Sequence, residues 1–196
     1  MNLARTARTL RDVSPQRSKR QAFTLLEIAL VVSVAGMVLA VAVPTFIDSL
    51  ETSKAAEASQ QLATLFRNSA AYYAVPRPTS DGKTAYCLPA PAGPTPLTPS
   101  VNPVPVDFKA DDTPGVETWR ALEFAPSVPL RYRYTFLPRG PACLVRESTP
   151  PATLVLRAEG DLDGDGTLSR FERRASLRDR GELEGERMLH IADRIE

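Results

Sequence analysis

The chain has 196 residues, 43% of them hydrophobic and 24% charged, with two cysteines and a formal net charge of +1. That length excludes two large domains and leaves room for one compact head of modest size. The charge is unevenly placed: residues 1–22 hold Arg5, Arg8, Arg11, Arg17, Lys19 and Arg20 against Asp12, leaving 18 of the 24 basic and 22 of the 23 acidic side chains to the remainder. A net acidic remainder argues against a general nucleic-acid footprint.

Residues 1–22 form a basic leader ending Ser18-Lys19-Arg20-Gln21-Ala22, a processed segment set apart from the fold. Its positive charge stays in the cytoplasm, so whatever follows the next apolar run is exported. That run extends from Phe23 to Val43 with one charged side chain, Glu27. About 20 apolar residues cross a bilayer as a helix. A carboxylate at the start of such a helix is costly and demands a partner. Two ordinary readings compete. One is a secretory signal peptide cut after Ala40-Val41-Ala42, which leaves Val43 first; the other is an uncleaved anchor. The long basic region, the long apolar run and Glu27 count against the signal peptide. Neither reading explains Phe23-Thr24-Leu25-Leu26-Glu27.

Lys19-Arg20-Gln21-Ala22 followed by Phe23-Thr24-Leu25-Leu26-Glu27 resembles the processing site of the type IV pilin and type II secretion pseudopilin superfamily. The resemblance continues at Gly36 and Pro44, where that family places a helix-loosening Gly and a kinking Pro, and it covers the leader and the first helix. It implies an α+β pilin fold, a long N-terminal helix packed on a C-terminal antiparallel β-sheet. It also implies cleavage by a prepilin peptidase between Ala22 and Phe23, and N-methylation of Phe23. The subunit would sit in the inner membrane of a Gram-negative bacterium with its head in the periplasm. An inner-membrane assembly platform would then draw it, with other pilin subunits, into an extracellular filament. In that family the acid matching Glu27 pairs with the terminal amine of a neighbouring subunit. The chain departs from the family at Ala22, where Gly is usual.

After Pro44 the apolar residues Phe46, Ile47, Leu50, Ala55, Ala58, Leu62, Leu65, Phe66 and Ala70 recur at three- and four-residue steps, the stripe of a helix lying on a core. One helix is therefore expected over 23–74, with 23–43 in the membrane, and Pro44 is expected to kink it by removing a hydrogen bond. Residues 75–115 are rich in proline and read as an irregular, extended loop rather than helix or sheet. Cys87 lies in this segment and Cys143 beyond it. An even pair in an oxidising compartment reads as one disulfide, the alternative being two buried free thiols. Neither has the C-x-x-C spacing of a redox or zinc motif.

Residues 116–196 read as the head. Val116 to Phe124 suggests one or two helical turns, with Trp119, Leu122 and Phe124 for the core. Leu130, Tyr132, Tyr134 and Phe136 alternate with Arg131, Arg133 and Thr135, a strand with one wet face. After a turn at Pro138-Arg139-Gly140-Pro141, further strands are expected over 142–146, 152–158 and 168–177. Beyond Leu177 mixed charges mark a solvated face. Met188, Ile191, Ala192 and Ile195 suit a short terminal helix, and Met188 to Ile191 also suits an edge strand. The acidic loop, Gly93-Pro94-Thr95-Pro96 and Trp119 with Leu122 and Phe124 are also similar to pilin-like proteins of myxobacteria and their relatives.

Inside the head, Asp161-Leu162-Asp163-Gly164-Asp165-Gly166-Thr167-Leu168-Ser169-Arg170-Phe171-Glu172 fits the D-x-D-x-D-G-x₅-E calcium loop. Alternate carboxylates converge on one hard cation if the backbone wraps around it. Asp161, Asp163 and Asp165 would supply side-chain oxygens, Thr167 its carbonyl, Ser169 a water-bridged contact, and Glu172 both oxygens. The preceding segment is strand-like, so the loop of 161–172 would be spliced between strands and hold a structural calcium. The competing reading is a turn whose carboxylates only cap backbone N–H groups.

The sequence presents no nucleophile–base pair and no phosphate-cradling glycine loop, so no enzyme is expected. The expected function is a structural subunit of a type IV pilus, a pilin or minor pilin. The alternatives are a pseudopilin of a type II secretion system, or a pilus-tip adhesion or DNA-uptake subunit using Arg131 and Arg133 beside Tyr132 and Tyr134.

Overall fold

A computed structural model describes residues 24–145 and 152–192, with the side chains of 47–51 left aside. The predicted cleavage between Ala22 and Phe23 lies outside the described residues. The chain divides into two compact units, Met1–Thr45 and Phe46–Glu196. Within the described residues the architecture is α+β: an apolar N-terminal helical segment and antiparallel β-sheets.

Helix α1 (Leu25–Tyr73) begins in the first unit and ends in the second. Thr24 starts it as an N-cap, its Oγ1 accepting the N–H of Glu27 at 3.2 Å. Thr24-Leu25-Leu26-Glu27 thus has the spacing of a capping box. Inside the apolar segment the Ser33 hydroxyl donates back to the Ala29 carbonyl at 2.9 Å, hiding its polarity against its own helix. Next to Pro44, which cannot donate, the Thr45 hydroxyl lies 3.2 Å from the Val41 carbonyl and 3.0 Å from that of Ala42.

In the second unit α1 buries Ala55, Ala58, Leu62, Leu65, Ser69 and Tyr73, the three- and four-residue rhythm read from the sequence. Phe66 and Ala70 are half-buried. Phe46 belongs to the predicted stripe but is exposed. Ser69 fits among apolar neighbours because its hydroxyl donates to the Leu65 carbonyl at 2.7 Å.

The segment read as an irregular loop contains three short strands: β1 (Pro76–Pro78), β2 (Thr84–Cys87) and β3 (Ala92–Thr95). Proline disguises them. It cannot donate to a ladder, but an edge strand tolerates it, and β1 and β3 are both edges. The helical turn α2 (Val116–Ala121) follows, then β4 (Arg133–Arg139), β5 (Cys143–Val145), β6 (Thr153–Gly160), β7 (Ser169–Leu177), β8 (Leu183–Gly185) and β9 (His190–Ala192). One sheet has the order β1-β2-β5. The other runs β3-β4-β6-β7-β8, with β9 also paired to β7. Of the two readings of the C-terminal segment, the edge strand is the one observed through Ala192.

Tyr134 and Phe136 of β4, Leu154, Leu156 and Ala158 of β6, and Phe171, Ala175 and Leu177 of β7 fill the core with the α1 stripe. Phe108, from the Pro-rich segment, joins them fully buried, in edge contact with Trp119 at 5.2 Å and with Phe124 at 5.1 Å. The Trp119 indole N–H is satisfied by Thr95 Oγ1 at 3.1 Å and the Pro114 carbonyl at 3.0 Å. Gly115, at φ 74°, stands where a Cβ would approach within 2.5 Å of Ala92, so only glycine fits this left-handed position.

Candidate functional site

Three arrangements go beyond core packing. The first is the apolar segment Leu25–Phe46, with mean hydropathy 2.5 and none of it buried. Its length and composition suit a membrane anchor or a signal sequence. Glu27 occupies its first turn, where a carboxylate complements the helix N-terminus. Gly36 lies mid-segment with open space where a Cβ would be, so no packing within the described chain requires glycine there.

The second is the loop between β6 and β7. Asp161, Asp163 and Asp165 each turn a carboxylate oxygen toward the others, all within 4.8 Å. The backbone holds them there. Asp161 accepts the N–H groups of Gly164 at 2.7 Å and Gly166 at 3.2 Å. Asp163 accepts that of Asp165 at 3.2 Å, and Asp165 that of Thr167 at 2.6 Å. Gly164 and Gly166, at φ 86° and 90°, let the chain fold back on itself.

Ser169 and Glu172 do not join this cluster. The chain leaves the loop as a strand, not a helix, so each residue past Ser169 moves roughly 3.3 Å farther along β7. The buried Ser169 hydroxyl donates to the Gly160 carbonyl at 3.1 Å. Glu172 accepts from Arg157 Nε and from Arg174 Nη2, each at 2.8 Å. The structure therefore offers a cation three carboxylates, with the Thr167 carbonyl following directly. Hard divalent ions accept such oxygens and complete their shell with water.

The third arrangement escaped the sequence reading because it depends on strand register. On the outer face of the larger sheet, cross-strand pairing lines up Arg133, Glu159 and Arg170 in one row, and Thr135, Arg157 and Glu172 in the next. Glu159 Oε2 lies 2.9 Å from Arg133 Nη2, and its Oε1 lies 3.0 Å from Arg170 Nε. Burial pushes the Glu172 carboxyl up, but the hydrogen bonds from Arg174 and Arg157 outweigh it and hold the group below its ordinary value. The Arg–x–Glu spacing at 157–159 and the alternation Arg170, Glu172, Arg174 were the available signals.

Tyr132 and Tyr134 are fully buried, while Arg131 faces Glu57 at 3.5 Å and Arg133 faces Glu159. These four side chains do not form a shared basic–aromatic surface. Cys87 and Cys143 come together as a disulfide across β2 and β5, with sulfurs 2.09 Å apart. Compared with protein-family models, with curated proteins and with solved structures, the chain matches none.

Proposed function

We infer that the chain is a structural subunit of a type IV pilus, a pilin or minor pilin with a pilin fold. The observation that carries this reading is the Leu25–Phe46 helix, unburied and apolar apart from Ser33, Thr45 and its one carboxylate in the first turn. Such a surface needs a bilayer or a bundle of like helices to cover it. A membrane holds the segment before assembly, and neighbouring helices replace lipid in the filament. The leader is removed by a prepilin peptidase, and the freed Phe23 amine of one copy pairs with Glu27 of another. Buried charges demand such partners, and Gly36 gives a neighbouring helix room for close approach. Filaments sheared from cells test the reading: Glu27→Ala should be processed yet missing from the sheared fraction. Its normal recovery there would contradict the pairing.

The acidic loop holds a structural calcium through Asp161, Asp163 and Asp165, with the Thr167 carbonyl. This loop favours a second reading, a pseudopilin of a type II secretion system, because calcium in the head suits that resemblance. Loss of secreted enzymes without loss of pili in a deletion strain would select it.

A further inference from the structure

The outer face of the larger sheet carries more positive charge than its own structure uses. Among the described residues Arg133, Arg139, Arg157, Arg170 and Arg174 share it with two buried carboxylates, Glu159 and Glu172, while an exposed third, Glu186, lies 2.6 Å from His190 in the groove lining. Each guanidinium has five N–H donors, more in total than the four carboxylate oxygens and the Leu97 carbonyl, which accepts from Arg133 Nη1 at 3.2 Å, can occupy. Arg139 makes no ion pair among the described residues, and the Arg170 and Arg174 side chains remain about half exposed, at 48% and 46%. Between them opens a groove of about 660 Å³, walled on its far side by β9. Outside the leader the chain is net acidic, so this face stands out against its surroundings.

We propose that the groove binds an acidic peptide segment of a partner protein, with carboxylates alternating with small or apolar residues along an extended strand. Guanidinium forks match carboxylates in a bidentate geometry. Alternate residues of an extended peptide recur at roughly 7 Å on one side, so charges can meet successive arginines while the residues between pass the embedded Glu172. Ile191 and Ala192 add an apolar stretch to the lining, to which Thr153 and Ser176 also belong. A nucleic acid fits less well. Among the described residues no Phe, Tyr or Trp lines the groove for base stacking.

The test uses the detergent-extracted full chain and fluorescence anisotropy, so it stands apart from filament assembly. The probes are a labelled alternating Glu-Ala peptide, its Gln-Ala counterpart, and a short DNA duplex. The Glu-Ala peptide should bind saturably and more weakly as salt rises, while the Gln-Ala peptide should not bind. Arg139→Gln with Arg170→Gln should weaken binding about tenfold, the scale of losing two partly exposed charge contacts. Arg67→Gln with Arg178→Gln, an equal charge change outside the groove, should leave it unchanged. Arg139→Glu alone, which disturbs no ion pair among the described residues, should weaken binding without shifting the melting curve. Equal affinity for the Gln-Ala peptide, tighter binding of the duplex, or equal losses in the two double variants would overturn the proposal.

Discussion

Glu57 of α1 and Arg131, two residues ahead of β4, are locked together through the backbone. The Glu57 carboxylate accepts the Arg131 N–H at 2.8 Å and the Tyr132 N–H at 3.3 Å, while the Arg131 guanidinium faces its second oxygen at 3.5 Å. The carboxylate thereby satisfies donors just before the regular β4–β6 ladder begins at Arg133. Glu57→Ala would leave these half-buried donors without that acceptor, at about 1–3 kcal/mol. Glu57→Gln keeps an acceptor oxygen and should lose less. Denaturant midpoints of the full chain in detergent check this, and an unchanged midpoint for the alanine variant would count against it.

The Cys87–Cys143 bond closes a loop spanning 56 positions. It ties β2 to β5 across the Pro-rich segment that delivers Phe108 to the core. Replacing both cysteines by serine should lower stability by about 2–4 kcal/mol, mostly by freeing the unfolded chain. Thermal unfolding with and without reductant measures it. Overlapping curves would show that the edge strands hold this segment without help.

Acid should act on the outer face of the larger sheet and alkali on the core. Glu172 has a folded pKa below its unfolded value, so its contribution is present above about pH 4 and fades as pH falls through the folded value. On the core side, burial raises the hydroxyls of Tyr73 and Tyr132 to about 12, with Asp179 adding to the first and Glu57 to the second. Burial likewise raises Tyr134 well above its ordinary value. A raised folded pKa means stability that is intact below about pH 10 and lost as pH climbs through 12. The Tyr73 hydroxyl also donates to the Arg178 carbonyl at 2.8 Å, a bond that needs its proton. In a Tyr72→Phe, Tyr86→Phe background, which leaves these three tyrosines, tyrosinate absorbance should appear together with the loss of β-sheet circular dichroism. Their titration while the sheet remains intact would contradict the assignment.

Residues whose role depends on local periodicity were legible. The α1 stripe at Ala55, Ala58, Leu62 and Leu65, and the alternation of tyrosines with arginines before and in β4, follow from 3.6- and 2-residue repeats that the structure keeps. Residues whose role depends on distant register were not. Nothing near Glu159 in the sequence announces Arg133 or Arg170 as its partners, because β4 and β7 bring them there. Glu172 illustrates a second cause. The calcium-loop template assumes an exiting helix that carries its last acid back to the ion, and here a strand carries it into the arginine ladder. Proline, a sound loop signal in general, concealed β1 and β3 because an edge strand requires fewer donors.

The acidic loop yields a prediction in either functional setting. If calcium binds at Asp161, Asp163 and Asp165, as proposed, a chelator should lower the melting temperature of the head, and added calcium should restore it. Asp163→Asn should remove that response, since fewer carboxylates attract the cation less. A melting curve indifferent to chelator would mean that the loop carboxylates serve only the N–H groups of their own turn.

On the proposed function, the apolar N-terminal helix belongs to a processed filament subunit. The most direct measurement is the N-terminal mass of the membrane-extracted protein, with and without a co-expressed prepilin peptidase. A terminal peptide beginning at methylated Phe23, seen only with the peptidase, is the predicted result. A peptide beginning at Val43, or a leader retained with the peptidase present, would contradict it.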